Sequence, residues 1–366
     1  MKTAGLRAAS RVIGAQVRQA PARIPLVSVV ITNFNYARYL PEAVNSVLTQ
    51  RGVRVNIIIV DDASSDDSVH LARGMVAADS RVALIARPRN GGPATAFNDG
   101  LTQATGEYII RLDADDMLTP GSIGRAVALA EHFPQVGLVY GHPVHFSAEG
   151  AVRHRGRARS WTVWPGRDWL ERRCRLGHNC ITSPEVLMRA STLRSVGGMR
   201  PLAHTHDLEL WLRIARASDV GWVGGADQAW HREHSGSLSA REVDVARDLR
   251  ERADAFNMLL TDGQGDVDLD QRLLLIARAT LANEALTRTT QAYSAGRGGS
   301  AETDSYLRYA QHVHSDLDSL PQGKTLRLAQ RLGPVRSRYS PNLLTHAVMH
   351  RASLVIGEYR WRSTGV

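Results

Sequence analysis

From Pro25 to Tyr140 short apolar strands and helical stretches alternate, and this alternation restricts the fold more than any other feature of the chain. Leu26–Ile31 has a strand's composition, and Leu40, Val44, Val47 and Leu48 then recur at helical spacing. Val53–Val60 is a second strand, rich in Ile and Val and apolar on both faces toward its end, as in a parallel sheet. Ser68–Ala78 has helical character, Val82–Ile85 is a short strand, Ala94–Thr105 a helix and Glu107–Leu112 a strand. Pro120 stands in the first turn of a helix running to about His132, where proline is tolerated, and Val136–Tyr140 is a further strand. The pattern predicts an α/β fold with a mostly parallel sheet and helices on both faces.

Sheets of this kind bind ligands beyond the carboxyl ends of their strands. Polar clusters fall at those ends: Thr32-Asn33-Phe34-Asn35 after the first strand, Asp61-Asp62-Ala63-Ser64 after the second, and Asp113-Ala114-Asp115-Asp116 after the strand that begins at Glu107. Each alone is an ordinary turn composition. Three at one rim make a site. Asp113 and Asp115 are two apart, so an extended chain projects both carboxylates to the same side. Two such carboxylates call for a hard divalent cation, Mg²⁺ or Mn²⁺, with positions left open for a diphosphate.

The 366 residues suffice for one large domain with an appendage. Beyond residue 240 the character changes to helices over 241–260, 268–292 and 301–317, with a basic tail from Gly323. The expected organisation is a basic extension over 1–24, an α/β domain over 25–240 and a helical region over 241–366. The extension has no acid before Glu42 and is expected to be a disordered arm or a basic amphipathic helix. It lacks the continuous apolar core of a secretory signal, and no apolar run approaches the ~20 residues that span a bilayer.

The formal charge of +9 favours polyanions, anionic surfaces or phosphorylated substrates. No zinc-finger spacing or basic heptad helix accompanies it, so nucleic acid is not expected. The only cysteines, Cys174 and Cys180, flank His178 in a spacing that fits no common structural zinc site and lacks a clear fourth ligand. Reduced thiols and a cytoplasmic location, with peripheral contact at the inner face of the membrane, are the expectation.

The residues together resemble the inverting glycosyltransferases of family 2. The opening strand with Thr32-Asn33, the Asp61-Asp62-Ala63-Ser64 motif, Asn90-Gly91-Gly92 with its following helix, and Asp113-Ala114-Asp115-Asp116 occur in the family's order. His206-Asp207-Leu208-Glu209 resembles its later Glu-Asp segment, with His206 in the usual Glu place, and Arg232-x-His234 resembles its closing segment. The resemblance covers residues 25 to 240. It implies the GT-A fold, a Rossmann-like mixed sheet, followed here by a helical C-terminal region.

It also implies roles. Asp62 would accept hydrogen bonds from the nucleobase, bracketed by Thr32 and the Phe34 ring, with Asn33, Gly91, Gly92 and Asp113 completing the donor site. Asp115 and His234 would hold Mn²⁺ or Mg²⁺. Asp207 would be the general base that deprotonates the acceptor, and Glu209, two residues along the helix, would point elsewhere. The donor implied is a nucleoside diphosphate sugar, with uridine the family's commonest base. The Gln-x-x-Arg-Trp signature of processive synthases is absent after Asp207, which favours transfer of one sugar.

Arg153–Arg175 interleaves Trp161, Trp164 and Trp169 with arginines, a combination suited to sugar rings and phosphate. The expectation drawn from it is an anionic or lipid-linked acceptor. Self-association through the helical region is a further expectation. Two other readings compete: a catalytically silent sugar-nucleotide-binding protein, and a sugar nucleotidyltransferase, which would want a Gly-rich basic loop where Thr32-Asn33-Phe34-Asn35 stands. A dinucleotide-dependent oxidoreductase fails for lack of G-x-G-x-x-G at that turn.

Overall fold

In the computed structural model the described residues are 10–14, 17, 23–147, 153–234 and 245–366. They form two compact units: Met1–Leu170, Asn179–Arg241 and Thr364–Val366 in the first, Glu171–His178 and Glu242–Ser363 in the second.

The first unit is built on one ten-stranded mixed sheet. Its strands are β1 (Ser10–Ile13), β2 (Leu26–Asn33), β3 (Arg54–Asp61), β4 (Val82–Ala86), β5 (Tyr108–Asp113), β6 (Met117–Leu118), β7 (Val136–Phe146), β8 (Ser160–Trp164), β9 (Leu187–Arg189) and β10 (Asp219–Arg232). The order is β1-β8-β10-β7-β9-β5-β2-β3-β4, with β6 paired to the end of β10. β5, β2, β3 and β4 run parallel, and β7 is parallel to β10; the remaining pairings are antiparallel.

The parallel strands are apolar on both sides because helices cover both faces. Val27, Val29, Ile31, Ile57 and Ile59 pack in one cluster with Leu40, Ala43, Val44 and Val47 of α1 (Leu40–Leu48). The alternate residues Val30 and Val60 meet α3 (Pro93–Gln103), and there Gly100 is required: a methyl at its Cα would stand 2.4 Å from Val30 Cγ1 and 2.9 Å from Val60 Cγ2. Each fully buried Val, Leu or Ile here contributes about 1.5–3 kcal/mol by leaving water. The other helices of this unit are α2 (Ser68–Ala78), α4 (Ser122–His132), α6 (Ala190–Val196) and α7 (His206–Ala217); α5 (Gly166–Leu176) begins here.

At the amino end, residues 10–13 are neither helix nor free arm. They form β1, antiparallel to β8 from Ser10 opposite Val163 to Ile13 opposite Ser160. The edge of β8 supplies the ladder, and Val12 packs against the core. Residues 1–9, 15–16 and 18–22 of the expected extension lie outside the described residues.

The second unit is helical: α8 (Val245–Leu260), α9 (Val267–Ser294), α10 (Ala301–Val313), α11 (Gly323–Ser337) and most of α12 (Pro341–Thr364). The Asp266 side chain caps α9 by accepting from the Leu269 N–H at 2.8 Å, and Ser300 caps α10 through Thr303. Phe256, Leu273, Leu281, Leu286 and Tyr309 are buried. Arg252, nearly enclosed, is held by Asp248 (2.7 Å) and Glu284 (2.9 Å). α11 breaks at Gly333, whose φ of 68° precedes Pro334. Among the described residues no helix is long and apolar enough to cross a membrane.

Candidate active site

The carboxyl ends of β2, β3 and β5 bring the three polar clusters to one rim. The loops after β2 and β3 are bound to each other. Asn33 Nδ2 donates to Asp61 Oδ2 (2.7 Å) and Ser64 Oγ (3.2 Å), Ser64 Oγ accepts from the Asn35 N–H (2.9 Å), and Asn35 Oδ1 accepts from the Ser65 N–H (2.8 Å). At the centre of the two loops Asn35 (φ 59°) and Ala63 (φ 63°) adopt the left-handed region, the only non-glycine residues to do so among those described. For Ala63 this strain is of the order of 1–3 kcal/mol, offset by the bonds around it. Asn33 thus acts inside the protein as a loop fastener, and the Phe34 ring beside it is 44% exposed.

Asp62 is buried, and its carboxylate is engaged. It accepts from the N–H groups of Gly91 (3.0 Å) and Gly92 (2.8 Å) and from the Arg87 guanidinium. Arg87 Nε reaches on to Asp99 Oδ2 at 2.7 Å. This network explains both glycines. Gly92 has φ 82°, and a side chain on Gly91 would collide with the Arg87 guanidinium at 2.6 Å.

At the end of β5, Asp113 Oδ1 accepts from Thr32 Oγ1 (2.7 Å) and from Arg111 Nη2 (2.5 Å). Arg111 is buried and also donates to Ser183 Oγ at 2.6 Å. Asp115 is 8% exposed, and its Oδ2 stands 3.0 Å from His234 Nε2. Burial and the neighbouring carboxylates of Asp116 and Asp113 push its carboxyl up to about 8. Asp116 is tied to the last strand: it accepts from the Arg232 N–H (2.8 Å) and lies 3.0 Å from His231 Nδ1. Burial opposes the proton on His231, yet Asp116 raises that imidazole to about 9. Arg232 donates to the Asp115 carbonyl (2.9 Å) and pairs with Glu42, its guanidinium lying over the rings of Tyr39 and Phe146. Burial and the cations of Arg38 and Arg232 hold the His234 imidazole below its ordinary value. The pairing of β6 with β10 brings the acidic turn to these residues.

Asp207 lies in the first turn of α7. Its Oδ1 accepts from the Leu208 N–H (2.6 Å) and its Oδ2 from Asn179 Nδ2 (3.1 Å). Burial raises its carboxyl, His206 and Arg111 oppose the rise, and Asp113 adds to it. Asp113 therefore raises two carboxyl groups, Asp115 and Asp207. Glu209 is fully buried and bound by Arg213 (2.7 Å) and Arg200 (3.0 Å), which leaves it no acceptor proton to take.

The tryptophan expectation does not hold. Trp161, Trp164 and Trp169 are 2%, 6% and 0% exposed, and their rings fill the core of the fold. Arg155 is committed to Asp227 through its N–H (2.6 Å) and guanidinium. Four residues of the site had no assigned role from sequence: Arg87, Arg111, Asn179 and His231. Arg87 and Asn179 meet their partners 25 and 28 positions away, across loops that no local pattern links. His231 carried a signal, since it sits next to the Arg232-x-His234 segment on the same strand. A cleft of about 240 Å³ adjoins the acidic turn, lined by Glu42, Asn45, Thr49, Met117 and Trp230 among others.

The donor set suits a hard divalent cation. A buried carboxylate crowded by two others is offset by positive charge, and Asp115 and His234 supply one oxygen and one nitrogen at a common point. Among the described residues no three His, Cys, Asp or Glu side chains are grouped to hold a metal by themselves, so a bound diphosphate would supply the remaining oxygens.

The sequence profile of Glycosyl transferase family 2 matches residues 28–194. The putative glycosyltransferase EpsE of Bacillus subtilis is 33% identical over 200 residues, 52% of this chain and 66% of the relative. The chain spans between a third and two thirds of the length of the first curated relatives it matches. Among solved structures, TarS residues 1–349 of S. aureus, crystallised with UDP-GlcNAc, superposes with a TM-score of 0.57 at 15% identity, covering 85% of this chain and 89% of that one. The mannosyltransferase PcManGT of Pyrobaculum calidifontis, in complex with GDP-Man and Mn²⁺, gives 0.53 at 19% identity, with 93% and 88% covered. At these identities the two structures establish a shared GT-A fold.

Proposed function

We propose, from the match of residues 28–194 to the family 2 glycosyltransferases, that the chain moves one sugar from a nucleoside diphosphate donor to an acceptor hydroxyl or amine, with inversion at the anomeric carbon. The observation that carries this reading is the half-buried Asp207 carboxyl, raised by burial and by the neighbouring Asp113. A general base must accept a proton near neutral pH, and a carboxyl raised by burial is suited to it. The Asn179 and Leu208 donors orient the Asp207 carboxylate.

The donor would lie along the rim of β2, β3 and β5, its base near Asp62, Arg87 and the exposed Phe34 ring, its ribose and diphosphate near Thr32 and Asp113. Asp115 and His234 would hold Mn²⁺ or Mg²⁺ beside the diphosphate. When bound, the ion supplies Lewis-acid stabilisation of the leaving diphosphate. The nucleotide sugars in TarS and PcManGT support a donor of this class. Asp207 would face the acceptor and remove its proton as the glycosidic bond to the diphosphate breaks.

Release of nucleoside diphosphate in the presence of acceptor tests the reading. Asp207→Asn is expected to lower kcat by about 10²–10⁴, the usual share of a general base, while calorimetry shows donor binding retained. Turnover that survives Asp207→Asn would remove Asp207 from that role. Donor binding with no turnover from the wild-type chain toward any acceptor would favour the silent binding protein.

A further inference from the structure

The last two helices carry an unusual surface. Residues 323–364 contain Lys324 and seven arginines against one acid, Glu358, a net charge of +7 out of the chain's +9. Arg336, Arg338 and Arg351 have no ion-pair partner among the described residues. Along α12 only Leu343 is buried, yet the helix is rich in large apolar side chains. Leu344, Val348, Met349, Leu354, Val355, Ile356 and Tyr359 are each more than half exposed. At 3.6 residues per turn Leu344, Val348, Val355 and Tyr359 fall within a sector of about 60°, Ile356 and Met349 widen it to about 140°, and Leu354 extends it on the other side to about 220°. Arg360 borders this face, and Arg351 and Arg362 stand within it. Just before it, past the break at Gly333, Val335 and Tyr339 are 74% and 72% exposed beside Arg336 and Arg338.

Exposed apolar area of this extent marks a docking surface, and its charge selects the partner. A second copy presenting the same +7 segment would meet like charge. A phosphate backbone alone would leave the apolar stripe in water. An anionic lipid surface satisfies both: the stripe enters the acyl boundary, and the arginines within and beside it reach the headgroups along their aliphatic stems. We propose that α12, with the basic segment before it, is a peripheral membrane anchor that lies in the plane of an anionic lipid surface. The inference is independent of the catalytic assignment, since no residue of the site takes part.

Co-sedimentation of the full chain with vesicles tests it, comparing pure phosphatidylcholine with vesicles doped with phosphatidylglycerol. Binding is expected only to the anionic vesicles and is expected to fade as salt rises, because surface charges are screened within about 10 Å at 0.1 M. Removing Arg336, Arg338 and Arg351 by substitution to Gln should weaken binding about fivefold for each charge lost. Val348→Glu with Val355→Glu should abolish it. Both residues are exposed, so the helical circular dichroism and the melting temperature should stay unchanged. Absence of binding to anionic vesicles at low salt would overturn the proposal, as would binding indifferent to both sets of substitutions. A concentration-dependent dimer that Val348→Glu and Val355→Glu dissociate, with no vesicle binding, would assign the surface to a second copy instead.

Discussion

Asp207 and Asp113 are not in the same position, although both are acids at the same rim. Asp113 is met by Thr32 and Arg111, whereas Asp207 has two neutral donors and a burial that favours its protonated form. The sign of the pH dependence follows. In its proposed role as base Asp207 works only when ionised, so kcat/KM should rise with pH through a midpoint above the ordinary aspartate value of ~3.9, and that limb should vanish in Asp207→Asn. Arg111 lowers the Asp207 carboxyl, so Arg111→Gln should move the limb further up; a limb that stays in place would mean that Arg111 acts only through Asp113 and Ser183. The acids of this site were legible in the sequence because type and place coincided: Asp residues at strand ends where carboxylates are costly without a purpose. Arg87, Arg111 and Asn179 were not, because their value comes from partners that only the folded chain brings near. Asn33 shows the reverse case, a residue of the right type and place whose side chain secures Asp61 and Ser64.

Elements follow the same division. The parallel strands β2, β3 and β5 announce themselves as apolar runs, since helices cover both of their faces. The sheet's other half joins β7 and β10 in parallel with β8 and β9 antiparallel to distant partners, and its tryptophans look like a binding surface until their burial is seen. The approach to α7 rests on a buried charge cluster. Arg213 holds Glu209 with two nitrogens and donates to the carbonyls of Val196 (2.6 Å) and Gly198 (2.7 Å), fixing the loop that leads to Asp207. Glu209→Gln leaves Arg213 buried without its counter-charge, and the expected cost is about 3–5 kcal/mol, read as a lower denaturant midpoint. A change below ~1 kcal/mol would show that the backbone carbonyls alone suffice for Arg213.

For the whole molecule, ligands acting on the rim should register as global stability. Mn²⁺ together with a nucleoside diphosphate at 100 times its dissociation constant is expected to add about 2.7 kcal/mol and raise Tm, with little response in Asp115→Ala or His234→Ala. An equal rise in those variants would place the ion elsewhere. One strand has a consequence at this scale. β10 pairs with β8 from Val220 to Gly224, turns at Gly225 with φ 87°, and then takes β6 as its partner at Ala229 and Trp230. Its far end keeps β7 on one side through Arg232, but on the other side it is covered only by the two-residue ladder of β6, while β2 is flanked along its length by β3 and β5. Hydrogen exchange should therefore find the amides of 117–118 opening well before those of β2 and β3. During such an excursion Asp115 and Asp116 would drift from His234 and Arg232 while Asp62, Arg87 and the glycines kept their grip. A transferase of the proposed kind would then retain its fuel with the ignition disconnected, a pause written into how short one ribbon is.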